Sequence, residues 1–85
     1  MEFKVLGFGR KDLRLLFEIY KKGGVTKKSQ STFLSSMGFY MSIWSLRDKG
    51  LIKESGYDNN RQKIWVLTEK GEKFIKLIEK IEGLL

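Results

Sequence analysis

The chain has 85 residues, enough for one small domain, and 41% of them are hydrophobic, with six Phe, three Tyr and two Trp to give a core its bulk. Seventeen Lys and Arg against ten Asp and Glu leave a net charge of +7, a balance that favours a polyanionic partner. Cys and His are both absent, which excludes thiol chemistry, Cys/His zinc sites and histidine general bases.

Residues 1–9 carry Phe3, Val5, Leu6 and Phe8 between glycines and read as an N-terminal arm, an added strand or a cover for apolar surface. Over residues 10–22 the spacing of Leu13, Leu16, Phe17 and Tyr20 follows i, i+3, i+4, i+7 and predicts a first helix, with Leu15 and Ile19 on its flank. Lys21 and Lys22 suit the negative end of that helix, and Gly23-Gly24 stops it. Val25-Thr26 reads as a short extended piece. Thr26 or Ser29 then caps a second helix over residues 27–34. Ser35-Ser36 makes the turn into a third helix over residues 36–49, whose core stripe is Phe39, Ile43 and Leu46 and whose C-terminal cap is Gly50. Residues 51–67 form a hairpin: Leu51–Ser55 and Arg61–Leu67 read as strands, and Gly56-Tyr57-Asp58-Asn59-Asn60 supplies the loop. Thr68 caps a last helix over residues 69–83, with Glu69 in its first turn. Phe74, Ile78, Ile81 and Leu85 form one stripe on it, widened by Ile75, Leu77 and Leu84 beyond what a single small core needs. With no repeat and no linker, residues 1–85 read as a single domain.

Two motifs stand out: Leu46-Arg47-Asp48-Lys49-Gly50-Leu51-Ile52 and, after the hairpin, Val66-Leu67-Thr68-Glu69-Lys70-Gly71. Together they resemble the MarR- and PadR-type transcription regulators, which commonly write this region as Leu-x-x-x-Gly-Leu-Ile, a wing, and Leu-Thr-x-x-Gly. The resemblance spans roughly residues 10–75. Phe39-Tyr40 is also similar to the Leu-Tyr pair of PadR-type helices. The resemblance implies an α+β fold, mostly α: a winged helix-turn-helix with a three-helix core, a two-stranded wing and a C-terminal helix. It implies double-stranded DNA as partner, with the third helix in the major groove and the wing on the adjacent backbone or minor groove.

On that resemblance the base-edge candidates are Ser35, Ser36, Met37, Gly38, Tyr40, Met41 and Ser42. Hydroxyls can bond base edges, and Met can meet a thymine methyl. No Arg, Lys, Asn or Gln occupies the first half of this helix, so the bidentate pairings with guanine and adenine are missing there. Phosphate candidates are Lys27, Lys28, Ser29, Gln30 and Arg47, with the backbone N–H groups opening the second helix as further donors. At the hairpin, Asn59, Asn60, Arg61 and Lys63 make a basic, amide-rich wing; their alternative role is to keep an edge strand soluble.

Charge is unevenly spread: residues 1–34 carry an excess of +5, residues 35–68 of +2, and residues 69–85 none. The neutral last helix therefore suits pairing with a second copy, as terminal helices do in relatives of this type. The expected homodimer interface is Phe74, Leu77, Ile78, Ile81, Leu84 and Leu85. Met37, Met41 and Trp44 lie opposite the core stripe at i, i+4, i+7. Either the arm or the hairpin covers them, or they form a contact for a protein partner. Three readings follow: a small DNA-binding transcription regulator, a winged-helix protein-interaction module, and an architectural DNA protein without sequence preference. An enzyme is not expected. The carboxylates show no paired spacing, Gly7-Phe8-Gly9-Arg10 is too short for a nucleotide loop, and nothing would activate Tyr20 or Tyr57. No cofactor is expected. No apolar run approaches the ~20 residues needed to span a bilayer and no signal peptide is visible, so the expectation is a cytoplasmic protein with no membrane partner.

Overall fold

A computed structural model of the protein describes residues 9–30 and 34–84, the side chain of Leu84 excepted. The arm expected over residues 1–9, Gly9 aside, thus lies outside the described residues. The elements are helix α1 (Arg10–Lys22), a 3-10 turn (Lys28–Gln30), helix α2 (Ser36–Asp48), strands β1 (Ile52–Tyr57) and β2 (Lys63–Leu67), and helix α3 (Glu69–Leu84). Helix α2 is the third helix of the sequence reading. β1 and β2 form an antiparallel hairpin, and Val25 makes a single antiparallel bridge to Trp65 beside it. The Val25 N–H donates to Trp65 O at 3.0 Å and the Trp65 N–H to Val25 O at 2.8 Å. This is the α+β, mostly helical winged helix-turn-helix. No helix among the described residues is long and apolar enough to cross a membrane.

One core sits where α1, α2, β2 and α3 meet. It gathers Leu15, Leu16 and Ile19 of α1, Phe39, Ile43 and Leu46 of α2, Leu51, Ile52 and Trp65 of the hairpin, and Ile75 of α3. The α2 stripe is the one its spacing predicts. On α1 the buried face is rotated from the predicted one. Leu15 and Ile19 lie at its centre with Leu16, Leu13 and Phe17 are half-buried, and Tyr20 is exposed. The cause is that α1 packs against α2, β2 and α3 together, so its buried sector is set by three neighbours rather than one.

The second helix is described only in part. Its described part, Lys28–Gln30, is a single 3-10 turn, and residues 31–33 of the predicted 27–34 helix lie outside the described residues. Thr26 and Ser29 lock this turn reciprocally. The Thr26 N–H donates to Ser29 Oγ (3.0 Å), the Ser29 N–H to Thr26 Oγ1 (3.2 Å), and the Ser29 hydroxyl to Thr26 O (2.8 Å). The Thr26 Oγ1 bond to the Ser29 N–H is the cap expected of Thr26, and the Leu34 N–H donates to Gln30 O at 3.0 Å.

The two motifs have a shared physical basis. Helix α2 ends in a Schellman motif: the Leu51 N–H reaches back to Leu46 O (3.1 Å) and the Gly50 N–H to Arg47 O (2.8 Å). Gly50 adopts φ 73°, a left-handed conformation that a side chain would strain. Leu46 and Leu51, on either side of it, are both buried in the core. Three successive carbonyls at this helix end are then met from the start of α3. Lys49 O accepts from Lys70 Nζ (2.8 Å), Gly50 O from the Thr68 hydroxyl (2.6 Å) and Leu51 O from the Thr68 N–H (3.0 Å). Thr68 Oγ1 also caps α3 by accepting the Gly71 N–H at 3.0 Å. Gly71 is pressed so closely on the Leu51 carbonyl that a Cβ there would overlap its oxygen.

Gly71→Ala is therefore expected to lower the unfolding free energy by about 2–3 kcal/mol despite the better helix propensity of alanine. Gly83→Ala, in the same helix with open space around the added methyl, is expected to be neutral or slightly stabilising. Urea unfolding of both variants checks this, and equal stabilities would contradict the close packing at Gly71.

Candidate nucleic-acid interface

Helix α2 begins at an N-cap formed by Ser35, whose Oγ accepts the Gly38 N–H at 3.0 Å. From there the helix is apolar on both sides. One side is the core stripe. The other presents Met37, Met41 and Trp44, exposed to 73%, 61% and 52% of their surfaces. Tyr40 lies between them, stacked on Trp44 with ring centroids 6.0 Å apart and planes 27° apart. Lys27 Nζ stands 5.7 Å from the centroid of the Tyr40 ring, close enough for a cation–π contact. The hairpin does not cover this face; it flanks it.

Between α2 and the wing runs a groove of about 380 Å³. Its floor holds Phe39 and Trp65, and Lys27, Arg47, Arg61 and Lys63 stand around it. Among the described residues that line it, none is acidic. Just outside, Glu54 pairs with Lys63 at 3.3 Å, an exposed contact worth at most about 1 kcal/mol and open to displacement by a stronger anion.

The wing is shaped by two local devices. The first is a bulge. Ile52, Lys53 and Glu54 pair in regular register with Leu67, Val66 and Trp65, but the next pair is Tyr57 with Lys63, so β1 carries one extra residue. In unbroken register Gly56 would oppose Lys63. The extra residue puts Tyr57 there instead, and because side chains alternate, it brings the Tyr57 ring to the face that carries Lys63 and Trp65. The second device is Asp58, whose Oδ1 accepts the N–H groups of Asn60 (2.8 Å) and Gln62 (2.9 Å) and folds the tip back. Within that tip Arg61 has φ 60°. A left-handed conformation costs a residue with a side chain roughly 1–2 kcal/mol. Gln62 closes the circuit: its Oε1 accepts the Lys28 N–H at 3.2 Å, tying the wing to the turn before α2.

The structure gathers Lys27, Arg47, Arg61, Lys63 and Tyr40 at this groove, and it leaves Ser36, Met37 and Met41 exposed along the same helix. Asn59 and Asn60 are exposed at the wing tip, and Lys28 is exposed on the 3-10 turn. Other candidates are withdrawn. Ser42 is buried beside the core stripe and cannot reach a base edge. Gln30 is fully buried, with its Nε2 donating to Ser29 Oγ, and cannot reach a phosphate. Ser29 has its hydroxyl committed to Thr26 O and opens on a different depression, formed with Gly24, Val25 and Ile64. The backbone donors of the turn are also engaged: Lys28 N–H on Gln62, Ser29 N–H on Thr26 Oγ1, and Gln30 N–H on Lys27 O. Gly38 is half-buried, and the Ser35 side chain already serves as the cap. Of the residues at the groove, Phe39, Trp44, Tyr57, Gln62 and Trp65 are not among the DNA contacts expected from the sequence. The bulge that recruits Tyr57 carries only one sequence signal, Gly56 before an aromatic in a strand.

On α3, Ile78 is buried within the chain and cannot serve the expected interface between copies, while Phe74 is half-buried against the core. Leu77 and Ile81 remain exposed, at 58% and 46%. The side chain of Leu84 and all of Leu85 lie outside what is described.

No family model matches the sequence, and no curated protein does. Solved structures match the fold. A crystal structure of MarR superimposes with a TM-score of 0.78 at 24% identity, covering 96% of this chain and 62% of that one. A MarR family transcriptional regulator from Silicibacter pomeroyi DSS gives a TM-score of 0.77 at 26% identity, covering 87% of this chain and 52% of the other. The reduced form of the transcriptional regulator YodB from B. subtilis gives a TM-score of 0.69 at 19% identity, covering 95% and 81%. The chain thus has the winged-helix fold of MarR-type regulators, and it spans less than two thirds of the length of the first two. The second and third of these neighbours are transcriptional regulators.

Proposed function

We propose that the chain binds double-stranded DNA as a small transcription regulator. The observation that carries this reading is the groove between α2 and the wing, with four cations around it and no acidic residue among its described lining. A winged-helix fold similar to that of transcriptional regulators supports it.

In this reading Lys27, Lys28, Arg47, Arg61 and Lys63 dock on phosphates, and Ser36, Met37, Tyr40 and Met41 face the major groove, with Ser35 and Gly38 at the helix entry. Asn59, Asn60 and Arg61 rest on the neighbouring backbone or minor groove. Because the helix lacks bidentate base readers, selectivity comes from small polar contacts, duplex shape and bridging water. The left-handed Arg61 fits this picture: a conformation that Asn or Gly would tolerate at less cost is occupied by a cation. Helix α3, neutral and exposing Leu77 and Ile81, pairs with a second copy near its C-terminal end, with Leu84 and Leu85 contributing. A two-fold dimer of this kind reads two half-sites about one helical turn apart.

The test is binding to a random-sequence duplex library across a salt series, with sequencing of the bound fraction. Affinity is expected to fall with salt by ~0.9 in the log–log slope for each phosphate engaged. Arg61→Asn, which suits the backbone and removes the charge, is expected to shallow that slope by ~0.9 without loss of stability. Enrichment of a two-fold-symmetric sequence supports a regulator. Salt-sensitive binding without enrichment marks an architectural protein, and no binding at low salt ends the nucleic-acid reading. The exposure of Met37 and Met41 favours one second reading, a protein-interaction module. In the same assay the Met37→Lys, Met41→Lys double variant is expected to hold or gain DNA affinity; loss of a protein partner with DNA binding unaffected would assign the face to that partner instead.

For the dimer, Leu77→Glu with Ile81→Glu is expected to halve the mass in sedimentation equilibrium. A wild-type chain that sediments as a monomer at all concentrations would contradict the pairing.

A further inference from the structure

The groove between α2 and the wing presents aromatic ring faces as well as charge. Tyr40 and Trp44 form a stacked pair, the edge of this pair is buttressed by Phe39 in a T-shaped contact at 5.7 Å and 80°, and Lys27 sits over the Tyr40 ring. The Tyr57 ring, turned inward by the bulge, lies on the wing side and is largely exposed. A perfect duplex makes poor use of such a surface. Its bases are stacked on one another, and the major groove offers only their edges and the thymine methyl. Cations alone need no aromatic faces to meet phosphates. Ring faces set among cations are the recognition chemistry of an unstacked base.

We infer that this groove receives an unpaired nucleotide of a DNA strand, its base stacked on the face of Trp44 turned away from Tyr40 and its phosphates held by Arg47 and Arg61. Tyr57 closes on the base from the wing. The groove volume of about 380 Å³ is within the range of sites that enclose a small ligand. The inference rests on the groove being a nucleic-acid surface, as proposed above. It adds that DNA with a locally melted or distorted stretch is the preferred form.

The experiment compares a short duplex with the same duplex carrying a central unpaired stretch, by anisotropy of labelled DNA and by tryptophan emission. The buried Trp65 supplies a background that the Trp44→Phe variant reads separately. The wild-type protein is expected to bind the DNA with the unpaired stretch about tenfold tighter or more, since one stacked base contributes roughly a 5- to 150-fold gain. The emission of Trp44 is expected to be quenched on binding. In Trp44→Leu, with folding checked by far-ultraviolet circular dichroism, the ratio of the two affinities is expected to fall to about one. Equal wild-type affinity for both DNAs overturns the inference while leaving duplex binding intact, and so does a preference that survives in Trp44→Leu. Failure to bind either DNA at low salt overturns the duplex reading and this one together.

Discussion

Three successive backbone carbonyls, those of Lys49, Gly50 and Leu51, hold this fold together. They follow the last turn of helix α2, and each is met by a donor from Thr68 or Lys70 at the start of α3. The end of a helix normally leaves carbonyls without partners inside the helix. In α2 the Gly50 and Leu51 N–H groups meet the Arg47 and Leu46 carbonyls, and the start of α3 holds the three residues that follow the helix. The same contact pins both ends of the hairpin, because Leu51 precedes β1 and Thr68 follows β2. Once its base is fixed, the wing has one direction in which to project, and the groove beside α2 follows from it. Gly71 marks how tight the junction is, since it leaves no room for a methyl group.

From this junction the polar links run outward to the other end of the wing. Gln62 ties the tip to Lys28, and the Val25 bridge ties β2 to the segment after α1. The wing is thereby held at its base by α3 and near its tip by the turn before α2. Fixing both ends limits the conformational entropy lost when a partner binds, which is the physical meaning of a preorganised surface. Charge is distributed to match: the groove between α2 and the wing has no carboxylate among its described lining, while α3 is neutral and carries exposed Leu77 and Ile81 away from the core.

Much of this was legible in the residues. Leu46-x-x-x-Gly50-Leu51 spells a helix stop with a buried residue on either side, and Leu67-Thr68-x-x-Gly71 spells a cap followed by a close approach. Both are local geometries that few side chains satisfy, so they survive in the sequence as motifs. The α2 stripe was legible too, because the i, i+4, i+7 spacing of Phe39, Ile43 and Leu46 is the face that is buried. What was hidden depends on contacts distant in the chain. The buried sector of α1 is set by three partners at once. Gln30 and Ser42 look like surface residues by type and are turned inward by packing. The site was only half legible: charge picked out Lys27, Arg47, Arg61 and Lys63, but a one-residue bulge decided that Tyr57 joins them, and alternation along a strand carries no mark of where such a slip occurs. The Met37, Met41 and Trp44 face was legible as a stripe, and the wing flanks it rather than covering it.

The claim that matters most is that the groove between α2 and the wing is the surface that meets nucleic acid. Its most direct test is a titration of the nitrogen-15-labelled protein with a duplex, followed residue by residue in amide and indole resonances. The account predicts shifts concentrated at Lys27, Lys28, Tyr40, Arg47, the Trp44 indole and the Asn59 to Lys63 tip, with Leu77 and Ile81 unmoved. Shifts confined to α3, or none at saturating duplex in low salt, would contradict it.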